Sequence, residues 1–280
     1  MAIARLPSPK RYTGAPTSQG RRARFVLGAV LTAVSVASAQ ELTVPALPPA
    51  YVAVIIDDLG NSLRDGRRVV GLPAPIACGV LPHTPFARRL AQEAHGAGKE
   101  VLLHLPTESL RRQDAGPGVL EVGMSPAELR LTFLQNLASV PHAVGVSNHM
   151  GSRFTQDRPA MNVLMQELGK RADLFFVDSR TSAASVAPRL AAEHRVPLLI
   201  RHVFLDTEPT ADAVRLQLAE LVAIARRQGF ALAIGHPHPQ TLAAIEQWLA
   251  TILPEQVKII SLGEMLDRQR DAPPRVMTSN

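Results

Sequence analysis

A chain of 280 residues, 46% of them hydrophobic, is long enough for one large domain with a full core, or for two smaller ones. Its net charge of +6 suggests a nucleic-acid or membrane partner, but residues 1–39 hold six of the 30 basic residues and no Asp or Glu, so the remainder balances 24 basic against 24 acidic side chains. That neutrality implies no basic face for a nucleic-acid backbone, and only 4% aromatic residues argue against a base-stacking platform.

The first feature in chain order is Arg21, Arg22 and Arg24, then the apolar run from Phe25 to Ala37, then Ser38, Ala39 and Gln40. A basic stretch, about a dozen apolar residues and an Ala-Ser-Ala site are in the order of a signal peptide, so export to the periplasm or beyond is expected, with cleavage near Ala39. The run is short for a membrane span, which argues against stable membrane insertion once the leader is cleaved; an uncleaved anchor is the alternative. Residues 40–49 read as a Pro-containing linker, 50–269 as one domain and 270–280 as a polar tail. The single cysteine, Cys78, leaves no internal disulfide and sits in the strand-like run from Ile76 to Val80, so it reads as a small buried apolar residue.

From Ala50 onward, apolar runs alternate with amphipathic stretches. Strands are predicted at Tyr51–Ile56, Pro75–Leu81, Glu100–His104, Ala143–Asn148, Leu174–Val177, Pro197–Phe204, Phe230–Gly235 and Val257–Ser261. They are rich in Val, Ile and Leu with little polar alternation, as in parallel strands buried on both faces. Helices are predicted between them: one from Thr84-Pro85 to Gly96 or Gly98, one after a capping box at Ser125–Glu128, and others over Ala211–Arg227 and Pro239–Leu253. The pattern predicts an α/β fold, a distorted (β/α) barrel of seven or eight parallel strands, with a doubly wound open sheet as the runner-up.

Polar residues gather where strands end. Strand one runs into Asp57 and Asp58, strand three into His104 and Glu108, strand four into Asn148 and His149, strand five into Asp178 and Arg180, and strand seven into His236 and His238. In a parallel barrel these ends share one mouth, and so much charge there is costly to bury unless it binds something. No Gly-x-Ser-x-Gly elbow, His-Glu-x-x-His helix, phosphate loop or dinucleotide fingerprint competes.

Ile55-Ile56-Asp57-Asp58, Asn148-His149-Met150-Gly151, Val177-Asp178-Ser179-Arg180 and Gly235-His236-Pro237-His238, in that order, resemble the divergent polysaccharide deacetylases, over roughly Ala50 to Arg268. The resemblance implies a distorted barrel that removes acetyl groups from glycans with a divalent metal. It implies Asp57 as general base, Asp58 as metal ligand and His236 as general acid. The ordinary polysaccharide deacetylases use two histidines four residues apart as ligands, whereas here His104 is followed at that spacing by Glu108. A His104–Glu108 ligand pair stays open, but His149 is preferred as the second imidazole, because two neutral nitrogens and one carboxylate suit a catalytic zinc site. On this reading Asp178 orients His236 and Arg180 fixes Asp57 or a substrate anion. His238, Asn148 and Glu108 lie around the substrate or behind the ligands. The partner is an acetylated glycan. The alternatives are a non-catalytic periplasmic glycan-binding or regulatory module on the same fold, which Glu108 favours, and a metal hydrolase of another bond.

Overall fold

Apolar runs of Val, Ile and Leu become strands covered on both faces, and the amphipathic stretches between them become helices. The computed structural model describes residues 49–111 and 113–271, together with Arg11, Thr13 and Gly14. The chain divides into two compact units, Met1–Pro45 and Ala46–Asn280. The three described residues of the first belong to no helix or strand. The expected leader otherwise lies outside the described residues, as do most of the expected linker and the tail beyond Asp271.

The second unit is built of β1 (Ala50–Leu59), α1 (Leu63–Val70), β2 (Ala77–Val80), α2 (Ala87–Gly96), β3 (Val101–Thr107), α3 (Pro126–Ser139), β4 (Ala143–Met150), α4 (Arg158–Gly169), β5 (Phe175–Asp178), α5 (Ala187–His194), β6 (Leu198–Ile200), β7 (Val203–Phe204), α6 (Ala211–Gln228), β8 (Phe230–Gly235), α7 (Pro239–Thr251), β9 (Val257–Ile259) and α8 (Leu262–Asp271). Every strand pairing is parallel, in the order β6-β5-β4-β3-β2-β1-β8-β7, with β9 beside the first residues of β1. The sheet curls as a barrel whose two end strands are joined by Arg201 and His202 without a ladder between them. Arg201 N–H reaches the Asp178 carbonyl on one side of this seam and His202 N–H the Leu232 carbonyl on the other.

Two sequence expectations shift. The strand predicted over Pro197–Phe204 is two short strands, because Arg201 and His202 turn to opposite neighbours. The helix expected to start at Thr84-Pro85 starts at Ala87: the Thr84 hydroxyl donates to the Leu81 carbonyl and so holds a turn before the helix. The capping box of α3 is present, with Ser125 Oγ accepting from Glu128 N and the Glu128 carboxylate accepting from Ser125 N. Removing such a cap costs about 1 kcal/mol.

Strand geometry sets which residues reach the barrel interior. Successive side chains of a strand point to opposite faces. On β1, Val52, Val54 and Ile56 pack in the larger core under the helices, while Ala53 and Ile55 pack inside the curled sheet with Ala77, Leu102, Val177, Leu232 and Ile234. From α8, Leu262 and Met265 join this inner cluster.

Candidate active site

Continuing each inward-facing line past its last apolar residue gives the site. Ile55 leads to Asp57, Leu102 to His104 and Ile234 to His236. Val146 faces outward, so Ser147 and His149 face in. These side chains meet at the C-terminal mouth around a cavity of about 200 Å³, lined by Asp57, His104, His149, Ser179, Phe204 and His236 among others. Asp58 is off register. Its φ of 60° places it in the left-handed region, where the ladder to β2 also shifts, and this turns its carboxylate toward the histidines. Such a residue costs about 1–3 kcal/mol of strain, and Met150 and Arg180 at the same mouth carry it too, at φ 54° and 52°.

Asp58, His104 and His149 form a triangle. Asp58 Oδ1 lies 3.0 Å from His149 Nδ1 and 3.2 Å from His104 Nε2, and the two ring nitrogens are 3.1 Å apart. These edges compare with about 3.3 Å between ligands of a tetrahedral ion with bonds of about 2.0–2.1 Å. Although both rings are at contact distance, neither aims an N–H at Asp58 Oδ1, which is buried without a hydrogen bond. Burial alone would raise the Asp58 carboxyl, but the imidazole contacts and charges hold it well below the ordinary carboxylate range. His104 is fixed from behind: its Nδ1 is 2.8 Å from Ser147 Oγ, which in turn donates to Asp57 Oδ1 at 3.3 Å. That chain puts the His104 proton on Nδ1 and leaves Nε2 unprotonated, as ligation requires, with His149 Nδ1 as its hydrogen-bond partner. An orphaned carboxylate oxygen, a tautomer held from behind and a donor set of two nitrogens and one oxygen fit a divalent ion.

Asp57 is 1% exposed and its Oδ2 has no partner. Burial pushes its carboxyl above the ordinary value, against the opposing charges of His104 and His236. Gly79 on β2 makes the room: a Cβ there would meet Asp57 Oδ1 at 1.7 Å.

His236 departs from expectation in its partner. Asp178 does not orient it. Val177 faces the interior, so Asp178 points the other way, and its Oδ1 accepts the Arg180 N–H. The partner is Asp206, which sequence reading missed. Asp206 Oδ1 lies 2.9 Å from His236 Nδ1, and its Oδ2 accepts the His236 N–H and the Thr241 hydroxyl. The signal was available: Phe204 faces inward at the end of β7, so Asp206 two residues on faces inward as well. Phe204 stacks on the His236 ring at 5.4 Å, and His236 Nε2 points toward Asp58 Oδ2 at 3.9 Å.

The remaining candidates fall behind or beside the cavity. Glu108 stands outside the Asp58, His104 and His149 group: its carboxylate accepts from Arg153 Nη1 and Val122 N, tying down the loop after β3. Asn148 clamps the ends of β4 and β5, accepting from Ser179 N and donating to the Met150 carbonyl. Arg180 is exposed and does not pair with Asp57. His238 precedes α7 with its ring 5.9 Å from that of His236. Cys78 is fully buried with its thiol pushed up to about 12 by burial, so it is no nucleophile.

The His236–Asp206 pair carries a pH signature. Burial lowers the imidazole, but the Asp206 hydrogen bond and the charges of Asp58, Asp206 and Asp57 outweigh it and raise the ring from 6.5 to about 9. A raised folded value stabilises the charged form. The contribution is full below pH 6.5 and is lost as pH climbs through about 9. A shift of this size corresponds to roughly 3 kcal/mol. Urea unfolding of the metal-free protein is expected to show wild-type stability falling over that window and Asp206→Asn flattening the fall. Equal slopes for the two proteins would contradict the pairing.

The family model described as divergent polysaccharide deacetylase matches residues 54–266, which include every site residue above. An uncharacterized protein of Haemophilus influenzae is 36% identical over 226 residues, 80% of this chain and 79% of that one. The uncharacterized protein YibQ of Escherichia coli is 36% identical over 228 residues, 81% of this chain and 69% of that one. Among solved structures, an uncharacterized protein of Agrobacterium tumefaciens superposes with a TM-score of 0.74 at 27% identity, covering 78% of this chain and 89% of that one.

Proposed function

The chain belongs to the divergent polysaccharide deacetylase family, and from that premise we propose that it is a metal-dependent hydrolase that removes acetyl groups from a cell-envelope glycan. One observation supports the reading: Asp58, His104 and His149, a group spaced to take a metal ion, stand beside the same cavity as an unpartnered buried carboxylate, Asp57, and a carboxylate-paired imidazole, His236.

Asp58 Oδ1, His104 Nε2 and His149 Nδ1 would hold the ion, and the nitrogen-rich donor set suits zinc. When bound, it supplies Lewis-acid polarisation of the acetyl carbonyl and of the attacking water. Asp57 Oδ2 takes the water's proton as the new C–O bond forms. His236 Nε2 gives a proton to the departing nitrogen or oxygen as the bond to the sugar breaks, and acetate is released. Asp206 holds the imidazole protonated on Nδ1 and, with Phe204, fixes its plane. The competing module without catalysis drew its support from Glu108, which instead anchors a loop.

The discriminating assay offers metal-loaded protein acetylated chitooligosaccharide, an aryl acetate and an aryl phosphate. Acetate from the first two and nothing from the third is expected; phosphate release without acetate would make the protein a different hydrolase.

Export is part of the same proposal, supported by the order of features in residues 21–39. Among the described residues, no helix is long and apolar enough to cross a membrane. The exported chain should begin at Gln40 on N-terminal sequencing, whereas a mature protein that keeps the Phe25–Ala37 run would be anchored.

A further inference from the structure

Beside the residues that line the cavity, the charges of Arg180 and Arg201 bear on each other, with Asp178 as the acid that also acts on Arg201. Arg180 lies between Ser179 and Thr181, both of which line the cavity, and its own side chain is exposed. Arg201, at the barrel seam, sits over the Phe204 ring with Cζ 4.3 Å from the centroid, and Phe204 in turn stacks on His236. Arg201 Nε donates to the Ser179 carbonyl at 2.6 Å and Nη2 to the Arg180 carbonyl at 3.1 Å, and among the described residues Nη1 has no hydrogen-bond partner. Among the described residues neither arginine forms a salt bridge with a carboxylate, and the one buried acid nearby, Asp178, spends an oxygen on the Arg180 N–H.

This arrangement costs free energy. Burial, and after it the charge of Arg180, hold Arg201 down to about 10, and the nearby Asp178 carboxylate offsets only part of this, so two like charges share a half-buried place. Arg180 is in the left-handed region at φ 52°, a conformation that glycine or asparagine takes more readily. Elsewhere in the fold the arginines largely meet acids, as Arg67 meets Glu93 and Arg68 meets Glu246. A strained, unpaired cationic pair beside the reacting groups is a ready anion site, since planar guanidinium forks match carboxylate and phosphate oxygens.

We propose that Arg180 and Arg201 bind an anionic substituent of the substrate, so that the glycan is an acidic one, with a carboxylate or phosphate on the acetylated sugar or its neighbour. The inference rests on the deacetylase reading and narrows its substrate class. The side-chain stack from Arg201 through Phe204 to His236 puts the guanidinium one aromatic ring away from the proposed general acid. Phe204 then serves twice, as the platform for Arg201 and as the wall against which His236 is held.

The test compares three N-acetylated probes on the metal-loaded, full-length protein at physiological salt. They are an oligosaccharide alternating N-acetylglucosamine with glucuronic acid, its carboxyl-reduced form, and a phosphorylated N-acetylglucosamine oligomer. Both Kd by calorimetry and kcat/KM by acetate release are read as acid-to-neutral ratios. Wild type should favour one acidic probe over the neutral one by about 10–100-fold, the scale of a charge-assisted bidentate contact. Whichever acid wins names the anion. Arg180→Gln, a change at an exposed side chain, should bring the ratio close to one, and Arg201→Lys should reduce it while keeping the charge. A wild-type ratio near one, or a ratio that survives Arg180→Gln, overturns the proposal. Should no probe release acetate, the deacetylase reading fails, while the Kd ratios still decide whether the arginines read an anion.

Discussion

Asp57→Asn should lower turnover by about 10²–10⁴-fold and leave one divalent ion per chain. The substitution keeps the shape of the side chain and its contact with Ser147, so the room left by Gly79 still accommodates it. It removes the capacity to take a proton at Oδ2, the oxygen that has no partner in the fold. Burial raises Asp57 and so brings its basicity closer to that of the working solution, which is where a general base is most effective. Metal analysis alongside single-turnover kinetics checks the point. Loss of the ion together with the rate would make Asp57 a ligand and exchange its role with that of its neighbour.

Asp58→Asn should fail in the other way. Its Oδ1 is the only carboxylate oxygen in the triangle, so replacing it removes the negative charge that offsets the ion. Affinity for zinc should fall by more than the roughly 10–100-fold that follows loss of a group behind a ligand, and activity should partly return with excess metal. Asparagine tolerates φ near 60° better than most residues, so the backbone at the end of β1 should hold. This isolates the charge from the strain. Zinc titration by calorimetry, with unfolding measured beside it, separates the two. An unchanged affinity would remove Asp58 from the ligand set.

Much of the frame was legible because buried parallel strands are written as short runs of Val, Ile and Leu. The places where reading ran short have physical causes. Phe175, Phe176 and Val177 are apolar on both faces, so nothing in the run says that Asp178 turns away from the interior while Val177 faces it. Asp206 follows an apolar pair at the end of a run that reads as one strand; its two-residue spacing from Phe204 puts both on one face, but the split at Arg201 and His202 hides which face that is. Glu108 stands at a spacing that suggests a ligand, but the loop it serves is closed by Arg153 and Val122, contacts 45 and 14 residues away in sequence. Arg180 follows strand five in sequence, which suits a contact with Asp57 or with a substrate anion, but it takes a left-handed turn and its side chain is exposed without an ion pair to Asp57. The convergence of Asp58, His104 and His149 followed from strand ends alone, but the distances between them depend on the distortion of β1 at Asp58, which no pattern in the sequence announces.

The most direct test of the central claim is acetate released from an N-acetylated glycan oligomer by the protein stripped of metal by chelation and then reloaded with one zinc ion per chain. The account predicts no acetate from the stripped protein, and acetate in equal number to newly exposed sugar amines after reloading. Protein that holds one ion in the Asp58, His104 and His149 site, binds the oligomer and releases no acetate would contradict it and leave a glycan-binding module.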